Sequence, residues 1–314
     1  RSDQDVAKEF RITAEELQDQ LRIARQKLMA VRTKRIRPLL DNKVLTSWNA
    51  LMISAFARAA RVFGDSAFEK TAERAASFIF KNLKDESGRL LRRWCDGEAR
   101  YPAYLCDYAQ MAMTCLDLYE TTYDPDWFRK GCELSNEIKR LFRNENGPFY
   151  DTGTDGEVLL TRNAEGYDGV EPSGNSSVAN AFLRLNSYGL GSEFFEDAQR
   201  IFRCFNPMIN QAGVSFCSML SGLHFSLSEP KEVVISGRRG DAETEALLAE
   251  VRREFHPNTV TAYLEDGHSK LSEEIIPLTS GRPMLNGRAT AYVCQNQTCQ
   301  LPVHTVEELR ELLD

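Results

Sequence analysis

One pattern returns three times along the first two thirds of the chain: a polar, aromatic-bearing loop, an apolar helix, a tight turn and a second helix. The first unit has a helix from Trp48 through Leu51, Ile53, Phe56 and Ala60, a turn at Gly64-Asp65, a second helix from Ser66 to about Leu83, and an extended piece from Gly88 to Trp94. The second has helices over Tyr104–Thr122 and Trp127–Phe142, with a turn at Asp124-Pro125-Asp126, followed by extended Gly147–Asp151. The third starts near Asn175, breaks at Gly189-Leu190-Gly191 and resumes over Glu193–Phe205. Phe68, Phe128 and Phe195 are 60 and 67 positions apart, and Trp48, Asp107 and Asn175 are 59 and 68 apart. A period this long, made of two helices and a decorated loop, predicts helical hairpins arrayed about an axis, with the loops opening on one shared face. An ordinary helical bundle is the rival reading.

Before the repeats, Thr13-Ala-Glu-Glu16 reads as a capping box. It starts an amphipathic helix that runs to about Arg35 and ends before Pro38. After Pro230 the period changes. Strands are predicted at Glu232–Ser236, Thr259–Leu264 and Thr290–Cys294, with helices at Asp241–Phe255 and Thr305–Leu313. The expected class is therefore mainly α: an α/α toroid of hairpins over residues 1–229 and a small α/β lobe over 230–314. Gly237-Arg-Arg-Gly240 reads as a strand-to-helix turn, with an anion cradle as the alternative.

Composition excludes several classes. A net charge of −7 argues against a surface that neutralises phosphates, and the basic run Arg32–Arg37 reads as a helix tail, so no nucleic-acid partner is expected. No apolar run approaches the roughly 20 residues a bilayer requires, so no membrane partner is expected either. The chain begins at Arg1 rather than Met, as a processed product or fragment would. Cys106, Cys115, Cys132, Cys204 and Cys217 fall in apolar helical runs and read as buried thiols of a reduced, cytoplasmic compartment. Cys294 and Cys299, spaced C-x4-C, are weak evidence for zinc and weak evidence for redox work. No cofactor or metal is called for.

Four motifs in order resemble one family. They are Asp41-x-Lys43-x-Leu45-Thr46-x-Trp48-Asn49, Leu105-x-Asp107-Tyr108-Ala109, Gly169-x-Glu171-Pro172-Ser173-Gly174-Asn175 and Ala289-Thr290-Ala291-Tyr292-Val293-Cys294-x-Asn296-x-Thr298-Cys299-x-Leu301-Pro302. Together they are similar to the C-terminal region of the spermatogenesis-associated, thioredoxin-domain-containing protein family. The resemblance implies an (α/α)6 toroid like that of six-hairpin glycosidases and N-acylglucosamine 2-epimerases, here incomplete at about four hairpins. It also implies a thioredoxin-like domain elsewhere in the full protein as a partner. The residue before Asp107, often acidic in the family, is Cys106 here, which puts any role for two adjacent acids in doubt.

Glycoside chemistry needs one protonated and one ionised carboxyl across a sugar. Asp107 and Glu171 are the candidate acid and base. Asp41, Trp48, Asn49, Tyr108, Tyr150, Ser173 and Asn175 are the candidates for holding the sugar, with Tyr101 as a further stacking face. Asp41, Glu171 and Ser173 also suit helix capping, and Asp41 stays open between bracing and substrate contact. Proton abstraction by a pair of histidines is disfavoured, because of His224, His256, His268 and His304 only His224 lies near the hairpins. The expected function is carbohydrate binding or modification, with a non-catalytic scaffold for the thioredoxin-like domain as the alternative.

Overall fold

The structure, a computed structural model, describes residues 1–267, 274–296 and 298–314, so His268 lies outside the described residues. The chain divides into two compact units, Arg1–Asn42 and Lys43–Asp314. In the first, α1 (Asp3–Phe10) is followed by α2 (Ala14–Arg32). The Thr13–Glu16 capping box forms, with Thr13 Oγ1 accepting from Glu16 N at 3.1 Å and Glu16 accepting from Thr13 N at 2.8 Å. The helix stops at Arg32, one turn short of the expected end.

The second unit is built on helical hairpins. Gly64, in the left-handed region at φ 65°, ends α3 (Thr46–Phe63), and Asp65 then caps α4 (Ser66–Asn82). Asp124 caps α6 (Pro125–Phe142) directly after α5 (Leu105–Thr122), and Pro125 takes the first helical turn, where its missing N–H costs nothing. Gly189 and Gly191 separate α7 (Gly174–Ser187) from α8 (Ser192–Ala212), and α9 (Cys217–Leu227) follows. Helices α3, α5, α7 and α9 stand side by side as an inner layer, with α4, α6 and α8 packed behind them. This is the layering of an α/α toroid.

Helix α5 shows why the inner layer holds together. It is buried on nearly every side yet carries polar residues, several of which reach a neighbouring helix. Thr114 and Thr121 donate to the carbonyls of Ala50 and Ala57 on α3 at 2.8 and 3.0 Å, and Gln110 donates to Ser177 on α7 at 2.9 Å. Between α4 and α5, β2 (Leu91–Cys95) and β3 (Glu98–Pro102) form a hairpin turning at Asp96-Gly97, both with positive φ. The two-residue strand β1 (Val44–Leu45) pairs with β2. Residues 147–151 join no sheet.

From residue 231 a four-stranded sheet forms in the order β5-β4-β6-β7. Strand β4 (Lys231–Gly237) lies between parallel β5 (Thr259–Glu265) and antiparallel β6 (Thr290–Gln295). Its Val233, Val234 and Ile235 are fully buried, as a strand covered on both faces requires. Helix α10 (Ala242–Arg253) connects β4 to β5, and α11 (Val306–Leu313) ends the chain. The Gly237–Gly240 turn is closed from within: Gly240 N donates to Glu245 at 3.0 Å and Arg238 pairs with Asp266 at 2.9 Å. Cys294 and Cys299 form a disulfide between β6 and β7 (Thr298–Cys299) at paired positions. Of the five cysteines expected to be buried, Cys115 is buried, Cys106, Cys132 and Cys204 are half-buried, and Cys217 is exposed, because it begins α9 on the open side of the inner layer. No helix among the described residues is long and apolar enough to cross a membrane.

Candidate functional site

The starts of α3, α5 and α7 meet, and they are knitted together by their own side chains. Asp107 is fully buried in the first turn of α5, where its carboxylate accepts from Ser47 N on α3 at 3.0 Å, Tyr104 N at 2.9 Å and Arg92 at 3.2 Å. Burial pushes its carboxyl above the usual range even against those three donors. Asn175 is fully buried and makes three bonds with one amide: it accepts from Phe149 N and donates to the carbonyls of Phe149 and Glu165, each at 2.9 Å. Ser173 caps α7 by accepting from Ser176 N at 3.0 Å, and Asn49 donates to Leu45 O at 2.8 Å. The buried Tyr108 accepts from Leu90 N at 3.0 Å through its hydroxyl.

Other expected residues are more open. Trp48 is 61% exposed at the start of α3, and the half-buried Tyr150 lies under the Arg162 guanidinium at 4.2 Å. Glu171 is half-buried, with one carboxylate oxygen shielded from solvent and accepting no hydrogen bond among the described residues. Asp41 belongs to the Arg1–Asn42 unit. A side chain on Gly174 would meet Leu105 Cγ at 2.9 Å and Cys106 N at 3.1 Å, so the close approach this glycine permits is to α5. The Cys106 thiol is pushed up to about 12 by burial and by the adjacent Asp107, which leaves it protonated at neutral pH.

Toward the other end of the same inner helices is a cavity of about 810 Å³, within the range of roughly 300–1,000 Å³ typical of small-molecule sites. Its wall carries a charge network drawn from three hairpins. Asp117 on α5 pairs with Arg58 on α3 at 3.0 Å and with Arg184 on α7 at 2.9 Å. One turn further along, Glu120 pairs with Arg61 at 2.6 Å and Arg184 at 3.0 Å, and accepts from the Tyr188 hydroxyl at 2.8 Å. Ser54 also donates to Asp117.

Burial alone would raise the Asp117 carboxyl, but Arg58, Arg184 and Arg61 outweigh it and hold the group well below the usual range. Burial and arginines oppose one another in the same way at Glu120, and the arginines again prevail. Both carboxylates are thus held ionised, a state suited to accepting hydrogen bonds rather than donating protons. His224 and Ser221 on α9 and Asn180 on α7 line the same space. So does His256, which arrives from the segment after α10. The two histidines that sequence distance separates therefore share one cavity.

The network was missed in sequence, yet its signal was present. Arg58 and Asp117 are 59 positions apart, as are Arg61 and Glu120, and Asp117 and Arg184 are 67 apart. These are the repeat offsets, so carrying an arginine on α3 forward by one period locates the acids. His256 has no comparable signal, since the loop that carries it lies beyond the repeats.

No family model matches the chain. Human spermatogenesis-associated protein 20 is 30% identical over 319 residues, covering 98% of this chain and 41% of the relative. Its rat counterpart is 30% identical over 302 residues, covering 92% of this chain and 38% of the relative. The chain thus spans about two fifths of the curated relatives it matches. Among solved structures, a GH76 α-mannanase of Bacteroides thetaiotaomicron has a TM-score of 0.47 at 14% identity, over 68% of this chain and 59% of that one. A family 105 glycoside hydrolase of C. acetobutylicum has a TM-score of 0.43 at 16% identity, over 55% and 49%.

Proposed function

As a homologue of the spermatogenesis-associated protein 20 family along nearly its whole length, the chain, we propose, binds and modifies a carbohydrate in the cavity of its inner helical layer. One observation carries this reading. Ionised acceptors and arginine donors are fixed around one cavity with ample room for a sugar, and hydroxyl groups, which both donate and accept, are matched by such a mixed wall. Rigid charged forks also cost little to reorganise when a ligand arrives.

His224 and His256 bring imidazoles to this wall, groups that can both take and give a proton, a role the locked carboxylates do not fit. Proton abstraction from a sugar carbon is accordingly preferred to acid-assisted glycoside cleavage. Asp107, Tyr108, Ser173 and Asn175 act in this reading by holding the helix starts rigid. Trp48, Asn49, Tyr150 and Glu171 remain proposed as contacts at that end.

A second reading, a non-catalytic scaffold for a thioredoxin-like domain of the full protein, is favoured by the Asp107 carboxylate being taken up by Ser47 N, Tyr104 N and Arg92 within the fold. Titration calorimetry with a panel of neutral sugars separates the two. Carbohydrate binding is expected in the wild type and should weaken at least tenfold in Asn180→Ala and His224→Ala. Catalysis is expected to fall in His256→Gln with binding retained. A wild type that binds no sugar favours the scaffold.

A further inference from the structure

A second, smaller cavity of about 220 Å³ shares a wall with the first. The shared wall is the segment joining α10 to β5, and Phe255, His256, Pro257, Asn258 and Thr259 line both spaces. The smaller space is polar, bounded also by Ser228, Glu229 and Gln295, and its volume lies below the range of roughly 300 Å³ and upward at which pockets hold whole small molecules. It fits one unit of a larger ligand. At the junction stands Phe255, whose residue surface is 89% exposed although most aromatic rings of the chain are packed in the core.

A ring left in water between a cavity walled in part by charged groups and a smaller polar one offers what the C–H face of a sugar needs, an apolar platform, while the polar groups on either side meet its hydroxyl edges. From this juxtaposition we infer that the ligand is an oligosaccharide. One unit sits in the main cavity, Phe255 stacks at the junction, and the next unit occupies the smaller space. The inference rests on the carbohydrate reading above and adds chain length to it. It assigns Phe255 as a specificity residue that touches the ligand without taking part in proton transfer.

The test compares glucose, cellobiose and cellotriose, and mannose, α-1,6-mannobiose and α-1,6-mannotriose, by calorimetry on the full chain. The expected result is that in one series the disaccharide binds at least tenfold tighter than the monosaccharide. Phe255→Ala should abolish that gain, weakening the disaccharide at least tenfold more than the monosaccharide with the melting temperature unchanged, and Phe255→Tyr should keep it. Equal affinity for one and two units overturns the inference and leaves the one-sugar reading standing. A gain with length that survives Phe255→Ala, or a loss shared equally by all lengths, also overturns it. If no sugar of either series binds, the carbohydrate reading falls and takes this one with it.

Discussion

Asn175 holds the loop after α6 against the start of α7 with a single amide, and no water can replace its partners at a fully buried position. Asn175→Ala strands two carbonyls and one N–H, so a loss of about 2–4 kcal/mol is expected in urea unfolding. Its neighbour Gly174 is constrained by shape alone. Gly174→Ala places a methyl against Leu105 and the Cys106 backbone nitrogen, and about 1–3 kcal/mol should be lost through the strain of parting α5 from α7. Both residues lie in the Gly169–Asn175 motif, and their place at a helix start was legible in the spacing of the repeats. What they touch was not. A polar side chain that braces a loop and one that waits for a ligand have the same composition and the same position in the chain. Only the partner, here a backbone 26 residues away, distinguishes them.

Helix α5 is the element on which the inner layer depends. Its acids are bound to arginines on both flanking helices, and breaking a buried pair costs more than the pair contributes. Asp117→Asn removes one of the two carboxylates that face the buried Arg184, the other being Glu120, and a loss of about 3 kcal/mol is expected by chemical denaturation. The pH dependence has a definite sign. Asp117 and Glu120 bind protons more weakly folded than unfolded, so their stabilisation is complete above the ordinary carboxylate range of about 4 and is lost as pH falls below it toward the folded values. Denaturation midpoints should therefore drop steeply on acidification, and the Asp117→Asn midpoint should drop less. Helix ends and repeat spacing were readable because caps, glycines and periodicity are local. The network was not, because each of its pairs joins residues about sixty positions apart and becomes visible only when the period is applied residue by residue.

At the scale of the Lys43–Asp314 unit, the change from helix to sheet after residue 229 invites a division there, and several bonds cross it. Tyr188 donates to Thr261 O at 3.1 Å, Tyr263 N donates to the Tyr119 hydroxyl at 3.3 Å, and Arg252 donates to the carbonyls of Glu120 and Thr121 at 3.3 and 3.0 Å. Tyr119, Phe128 and Tyr188 pack edge to face behind them, with ring centroids 4.9–5.7 Å apart. Native-state hydrogen exchange should therefore find the amides of α5 and β4 opening with one free energy and one denaturant slope. Two distinct slopes would mark residues 230–314 as an independently unfolding domain. The arginine–carboxylate lattice has a last consequence for how hairpins of this kind can diverge. Its charges work like the teeth of a rack, fixing how far each inner helix may slide along the next. Loops between hairpins are free to lengthen, as the unequal periods record, whereas a one-residue insertion within α3, α5 or α7 would turn a tooth out of its slot by about 100°. Length variation among sequences that share this lattice should accordingly gather between the helices, where a caliper set by charge does not register it.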